Sequence, residues 1–270
     1  MPTLKLVTLN LLNDRSRWPQ RRSILAAQLA ELQPDAIALQ EVTPPDNNAQ
    51  WLADQLGGGY MLHFSPKTGE KRAREGIAIL SRHPIERAAT LDLQTQSRVA
   101  QLVEINYNAH SLVVANAHLF WWPGESNERN RQVQLILNWL KEYPPDRAVV
   151  VCGDFNGTPE SAAVRLMRQH FTSAYAARHG REPEYTCPTP LVVDQPIKNA
   201  RDALRSIRRV IIQLAADRTF KPWRGTLDYI FANDRVRILE CDVTLNKPAP
   251  DDPTIYPSDH FGLTATLEVL

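Results

Sequence analysis

Ala148-Val149-Val150-Val151-Cys152-Gly153-Asp154-Phe155-Asn156 is the stretch on which the fold turns. Its five leading apolar residues have the length of a buried strand and fall far short of the roughly 18 that span a bilayer. Asp154 and Asn156 follow directly. In extended backbone, residues two apart face the same way, so this pair is expected on one side of the strand end. Taken alone, such a run is explained equally well by an Asx turn.

The pattern of a strand closed by a polar residue recurs along the chain. Thr3 to Asn10 alternates like a strand and ends on Asn10, Ala36 to Gln40 is closed by Glu41, Ser111 to His118 ends on His118, and Asp259-His260 precede the last strand, Leu263–Val269. Further strands are predicted at Tyr60–Phe64, Gly76–Ser81, Val99–Tyr107, Leu227–Phe231 and Val236–Thr244. Helical patterns occupy Pro19 to Leu32, Gln50 to Leu56, the run with Val133, Ile136, Leu137 and Leu140 at i, i+3, i+4, i+7, and a segment beyond Pro159. Several strands follow one another without a helix, so much of the sheet is expected to be antiparallel rather than doubly wound. Prolines 183, 188, 190 and 196, and again 248, 250, 253 and 257, mark irregular loops. Strand patterns continue on both sides of each, so residues 1–270 read as one domain.

With 43% hydrophobic and 23% charged residues, the 270-residue chain excludes disordered, collagenous and coiled-coil classes. The N-terminal residues read as a strand and not as a leader peptide. Three cysteines without a CxxC pair suggest neither a disulfide framework nor structural zinc, and a reducing cytoplasm is the expected compartment. The formal net charge of +1 is uneven: residues 198–224 hold eight basic groups against Asp202 and Asp217, a local +6 that leaves −5 for the remainder. A basic segment on a mildly acidic body suits a polyanion, and a solvated helix face has the same composition.

Phosphate ester hydrolysis is a chemistry these strand ends can share. A hard divalent cation such as Mg²⁺ takes oxygen ligands without an all-protein cage, and Glu41 and Asp259 with the Asn10 amide supply them. Asp154 and Asn156 are suited to hold a water and to donate to a phosphoryl oxygen. His118 and His260 have the ordinary structural reading of a lone histidine against them. Asp228 supplies the carboxylate that a working histidine needs to fix its tautomer and its charge. No G-x-S-x-G supports a serine hydrolase.

The segments Thr8-Leu9-Asn10, Leu39-Gln40-Glu41-Val42, Gly76-Ile77-Ala78-Ile79-Leu80-Ser81-Arg82, Asn116-Ala117-His118-Leu119, Gly153-Asp154-Phe155-Asn156, Leu227-Asp228-Tyr229-Ile230-Phe231 and Ser258-Asp259-His260-Phe261 occur in this order over residues 8–261. Together they resemble the endonuclease/exonuclease/phosphatase superfamily, which includes deoxyribonucleases, exonuclease-III-like repair enzymes, deadenylases and neutral sphingomyelinases. The resemblance implies a four-layer α/β/β/α sandwich of two mixed, mostly antiparallel sheets packed face to face, with helices outside and the site at one edge. It implies a Mg²⁺- or Mn²⁺-dependent hydrolase in which Glu41 is the principal metal ligand, assisted by Asn10 and Asp259. Asp154 would orient or deprotonate the attacking water, with Asn156, His118 and Asn10 at the scissile phosphate. His260, paired with Asp228, would stabilise the transition state or act as the base. Arg98 resembles a phosphate-proximal arginine. Leu12 stands where repair-type members carry an aspartate, which puts a second metal in doubt.

Two features bear on substrate. Trp121-Trp122-Pro123 follows His118, and adjacent tryptophans cannot both point inward from a regular strand, so one is expected to be exposed. Stacking on an exposed aromatic contributes about 1–3 kcal/mol per base, although a pair packed under the loop fits the sequence too. Over 199–216, Ala200, Ala203, Leu204, Ile207, Val210, Ile211 and Leu214 form one stripe beside Arg201, Arg205, Arg208 and Arg209. That is a basic amphipathic helix within an expected insertion at 196–224, suited to a nucleic-acid backbone or an anionic membrane surface. The favoured expectation is a nuclease for single-stranded or flexible DNA or RNA, with no obligate protein partner. The alternative is a phospholipid or sphingolipid phosphodiesterase or a small-molecule phosphatase.

Overall fold

The computed structural model describes residues 3–15, 17–108, 110–193 and 223–270, with the side chains of 192 and 193 left aside. The basic stretch read over 199–216, and residues 196–222 of the expected insertion, lie outside the described residues. In chain order the elements begin with β1 (Thr3–Asn10), α1 (Trp18–Leu32), β2 (Ala36–Val42), α2 (Asn48–Gln55), β3 (Met61–Pro66) and β4 (Gly76–Ser81). They continue with β5 (Ile85–Asp92), β6 (Val99–Tyr107), β7 (His110–His118), α3 (Asn127–Leu140), β8 (Ala148–Asp154) and α4 (Ala162–Arg168). The last are β9 (Thr172–Ser173), α5 (Ala174–His179), α6 (Pro190–Val193), β10 (Asp228–Ala232), β11 (Val236–Thr244) and β12 (Gly262–Val269).

β8 alternates between two cores, as a strand covered on both faces must. Val150 and Cys152 turn inward to the opposite sheet, with Leu6, Val103, Val114, Ile230 and Leu263. Val149 and Val151 turn outward onto Val133, Ile136 and Leu137 of α3 and Val164 and Met167 of α4. On the other sheet, Val7, Leu9, Ile37 and Leu39 meet Leu25 and Leu29 of α1 and Leu52 of α2. The expected four layers result, and among the described residues no helix is long and apolar enough to cross a membrane. β5 was not foreseen. It is an edge strand in which the exposed run Glu86, Arg87 and Ala88, beside a register shift between Ile85 and Arg87, interrupts the alternation of half-buried Ile85, Ala89 and Leu91.

The sheets run β11-β12-β1-β2-β4-β3 and β5-β6-β7-β8-β10-β9. Each has one parallel pair at its centre, β1 with β2 and β7 with β8, and its other pairings are antiparallel. This arrangement decides where function can sit. The C-terminal ends of β1, β2, β7 and β8 lie beside the N-terminal starts of their antiparallel neighbours β12, β4, β6 and β10. Buried amides tie the sheets together next to that edge. Asn116 of β7 donates to the carbonyls of Leu39 (3.0 Å) and Ala78 (3.1 Å) across the interface and accepts from Gln40 Nε2 (2.8 Å). Buried amides with these partners hold the register of the two sheets.

Gly153 sits between β7 and β10 at φ 126°. A Cβ there would stand 2.1 Å from the Ala117 carbonyl oxygen, so the backbone of β7 leaves no room for a side chain. Gly153→Ala is expected to cost about 3 kcal/mol in denaturant unfolding, from overpacking and a disfavoured φ together. An unchanged midpoint would show that β7 yields without penalty.

Candidate active site

The strand-end rule brings together residues far apart in sequence. β1 delivers Asn10, β2 Glu41, β7 His118, β8 Asp154, β10 Asp228, and the turn into β12 delivers Asp259 and His260. Glu41 reaches the site through a bulge. The β2–β4 register shifts between Leu39 and Val42, and Glu41 adopts φ 56°, which re-aims its side chain. Arg21 of α1, fully buried, staples the flanking loops: Nη1 donates to the carbonyls of Leu11 and Pro257, and Nη2 to that of Leu12. Ser258 Oγ donates to the Asn10 carbonyl at 2.6 Å and so ties the last motif to the first.

Asp154 is the centre of the constellation. Its Oδ2 accepts from Asn10 Nδ2 at 3.0 Å, with His118 Nε2 at 3.4 Å and His260 Nε2 at 4.0 Å. Burial, with Asp228 adding to it, raises its pKa to about 7 against the opposing pull of His260 and Asn10. His260 Nδ1 lies 2.9 Å from Asp228 Oδ2, which also accepts from Thr186 Oγ1 at 2.6 Å. Burial opposes charge on His260, yet its acidic neighbours hold its pKa well above the usual histidine value. The Cys187 thiol beside it is pushed up to about 11 by burial, so at neutral pH the carboxylates of Asp228 and Asp154 hold the proton.

A second cluster lies beside the first. Arg98 Nη1 donates to Glu75 Oε1 (3.2 Å) and meets His118 Nδ1 (2.7 Å), while Glu75 pairs with Lys67 and accepts from Asn13 Nδ2 (3.0 Å). Burial, followed by the charges of Arg98 and Lys67, drives the His118 pKa well below the usual value. Burial works against ionised Glu75, but Lys67 and Arg98 still hold its pKa below the usual range. Glu75, Lys67, Asn13, Arg21 and Thr186 were not singled out in the sequence. For Glu75 and Arg98 a signal exists, because each immediately precedes a strand, β4 or β6, whose start lies at the site edge.

Two expectations are refined. Asn156 is not in extended backbone: φ is 48°, its N–H donates to Asp154 Oδ1 (2.8 Å) and its Nδ2 to the Leu119 carbonyl (3.2 Å). The Asx turn wins, because the chain leaves β8 at once, and Asn156 supports Asp154 where parallel projection was expected. Arg98 is 4% exposed, its guanidinium turned to Glu75 and His118. In the loop after β7, Trp122 is 55% exposed and Trp121 is half-buried. Arg129 of α3 donates to the carbonyls of Phe120, Trp122 and Gly124, and Gln132 Oε1 accepts from the Phe120 N–H (2.8 Å), so the platform is fixed from beneath.

Carboxylate groups able to bind a divalent cation are present. Glu41, Glu75 and His118 bring ligand atoms within 4.8 Å of one another. Within that group Glu75 is matched by Lys67 and Arg98, and His118 Nδ1 faces Arg98. Glu41 differs: burial, then the nearby Glu75 and Asp259 carboxylates, raises its pKa. A cation between Glu41 and Asp259 relieves that repulsion, so an oxygen-ligand site for a hard ion fits.

A family model described as the Endonuclease/Exonuclease/phosphatase family matches residues 7–260. The chain belongs to this family. It is 25% identical to Nocturnin of Drosophila melanogaster over 94% of the chain and 42% of that protein. It is 21% identical to the CCR4-Not complex 3'-5'-exoribonuclease subunit Ccr4 of Candida albicans over 62% of the chain and 27% of that protein. The chain therefore spans well under two thirds of these relatives. Among solved structures, D. rerio TDP2 complexed with single strand DNA product superposes at a TM-score of 0.77, with 19% identity and 99% of each chain covered. That likeness carries the fold.

Proposed function

We propose that the chain is a Mg²⁺- or Mn²⁺-dependent phosphodiester hydrolase acting on single-stranded or flexible nucleic acid. The observation that carries the reading is the convergence of Asn10, His118 and His260 within 4.0 Å of one Asp154 oxygen, beside the repelling pair Glu41 and Asp259. A cation held by Glu41, Asp259 and Asn10 would supply Lewis-acid stabilisation of the charge at phosphorus. Asp154 orients the attacking water and takes its proton, a role suited to a carboxyl with a pKa of about 7. As the new P–O bond forms, the ester P–O bond breaks on the opposite side, and the leaving oxygen departs with the bonding pair and takes a proton from solvent water. His118 and protonated His260, its Nδ1 held by Asp228, donate from Nε2 to the phosphoryl oxygens. Asn156 braces Asp154 through its backbone N–H.

Nucleic acid as substrate is supported by Ccr4, named an exoribonuclease, and by the DNA product in the TDP2 complex. Exposed Trp122, close behind His118 in the chain, is the stacking surface for a base. Trp122→Ala is expected to raise KM for an oligonucleotide about tenfold with kcat near wild type, the scale of one lost stacking contact. A fall in kcat with unchanged KM would remove that role. The reading as a whole is tested with single- and double-stranded DNA, RNA, sphingomyelin vesicles and inositol phosphates, each with Mg²⁺, Mn²⁺ or EDTA. Metal-dependent cleavage of single-stranded oligonucleotides is expected. Cleavage of the lipid alone, or undiminished hydrolysis in EDTA, would overturn the proposal.

A further inference from the structure

We propose that Arg98 is a positioning residue that locks His118 as a neutral imidazole with its proton on Nε2. In this arrangement His118 is a fixed hydrogen-bond donor to the phosphoryl group and not a base. Its kinetic consequence rests on the hydrolase reading above, and the tautomer itself does not.

The argument is one of donors and acceptors. A guanidinium carries only N–H donors and stays charged at any working pH. Arg98 Nη1 lies 2.7 Å from His118 Nδ1, so Nδ1 must present a lone pair. A neutral ring then has its proton on Nε2, the atom that faces Asp154 Oδ2 at 3.4 Å. A ring protonated on both nitrogens would set N–H against N–H at Nδ1. The alternative Nδ1–H tautomer would do the same and would also turn a lone pair of Nε2 toward a carboxylate.

Arg98 is itself held in place. Glu75 Oε1 accepts from its Nη1, Lys67 pairs with that carboxylate, and Asn13 Nδ2 reaches the other oxygen. Asn13 also ties this cluster to the metal-ligand candidate, because its backbone N–H donates to Glu41 Oε2 at 2.5 Å. The price of the device is visible: Arg98 Nε is buried without a hydrogen-bond partner among the described residues. Leaving a buried charged-group donor unpaired costs stability, so packing alone gives no reason for an arginine here. Lys67 follows β3 directly, Glu75 and Arg98 head β4 and β6, and His118 ends β7. The lock therefore spans the two sheets at the site edge.

The test uses the full-length protein labelled with ¹⁵N-histidine, with the His118 ring assigned from the signals lost in His118→Gln. At neutral pH the wild-type ring is expected to show one protonated nitrogen, Nε2, and one unprotonated nitrogen, Nδ1. In Arg98→Met the ring should become a mixture of tautomers while His260 keeps its signals. On an oligonucleotide kcat should fall about tenfold with KM within twofold, the scale of losing a residue that orients a functional histidine. Arg98→Lys, which can still donate to Nδ1, should keep the Nε2–H tautomer and recover most of kcat. A wild-type ring protonated on Nδ1 or on both nitrogens would overturn the lock, whether or not any nucleic acid is cleaved. An Arg98→Met ring unchanged from wild type would overturn it too. If Arg98→Met does not fold, the wild-type spectrum and Arg98→Lys still decide. If no substrate is cleaved but the Nε2–H tautomer is found, the hydrolase reading fails and the lock stands.

Discussion

Asp154→Asn is expected to lower kcat by about 10³-fold, while its thermal midpoint at neutral pH stays at or above that of the wild type. The two halves share one cause. Asp154 is fully enclosed, and burial raises its pKa from the ordinary 3.8 to about 7. A carboxyl raised in the folded state binds its proton more tightly there than in the unfolded chain. Stability therefore falls as pH rises from the ordinary carboxylate range through about 7, and above that the full cost of the buried charge is felt. An amide has the same shape without the charge. Its one oxygen keeps the bond from the Asn156 N–H, the bond that Oδ2 accepted from Asn10 Nδ2 is lost, and relief of the buried charge offsets that loss. The amide cannot take a proton from water. Metal binding, measured by titration calorimetry, should be retained because Glu41, Asp259 and Asn10 remain. Loss of the folded state, or kcat within tenfold of wild type, would remove Asp154 from the chemistry.

How much of this was legible in the sequence follows from strand direction. Asn10, Glu41, His118 and Asp154 could be read as candidates because each ends a strand, and β1, β2, β7 and β8 end at one edge. Asp228, Asp259 and His260 could be read because β10 and β12 run the other way and begin there. The same rule extends to Glu75, one residue before β4, but strand order is needed to apply it, and order is a tertiary property. Arg21 was illegible for another reason. Its partners are the carbonyls of Leu11, Leu12 and Pro257, and no side-chain pattern advertises a bond to backbone. Asn156 failed on local conformation: at φ 48° the period-2 rule for extended chain no longer applies. β5 failed because the charged run Glu86 and Arg87, followed by exposed Ala88, breaks its alternation after Ile85 and leaves too short a pattern to read. Gly153 sits inside the most legible stretch of all, yet its reason, the Ala117 carbonyl of the neighbouring strand, lies outside it.

His260→Ala is expected to lower kcat on the order of 10²-fold or more, with Asp228→Asn losing much of the same factor. Asp228 Oδ2 accepts from both His260 Nδ1 and Thr186 Oγ1, so the ring is held from behind and only Nε2 is presented to the site. Asparagine at 228 keeps the volume but has lost the negative charge that favours imidazolium, so His260 should be less protonated at neutral pH. Once His260 is gone, Asp228 has nothing left to orient for the reaction. The double variant should then be little worse than His260→Ala, a coupling well outside the additivity expected of independent sites. Folding must be measured beside activity, because Asp228 is fully buried and its Oδ1 has no hydrogen-bond partner among the described residues. For that reason the conservative Asp228→Asn is the informative change, since alanine would open a cavity between Thr186 and His260. If the two losses multiply strictly, the aspartate and the histidine act separately and the imidazolium role assigned to His260 falls.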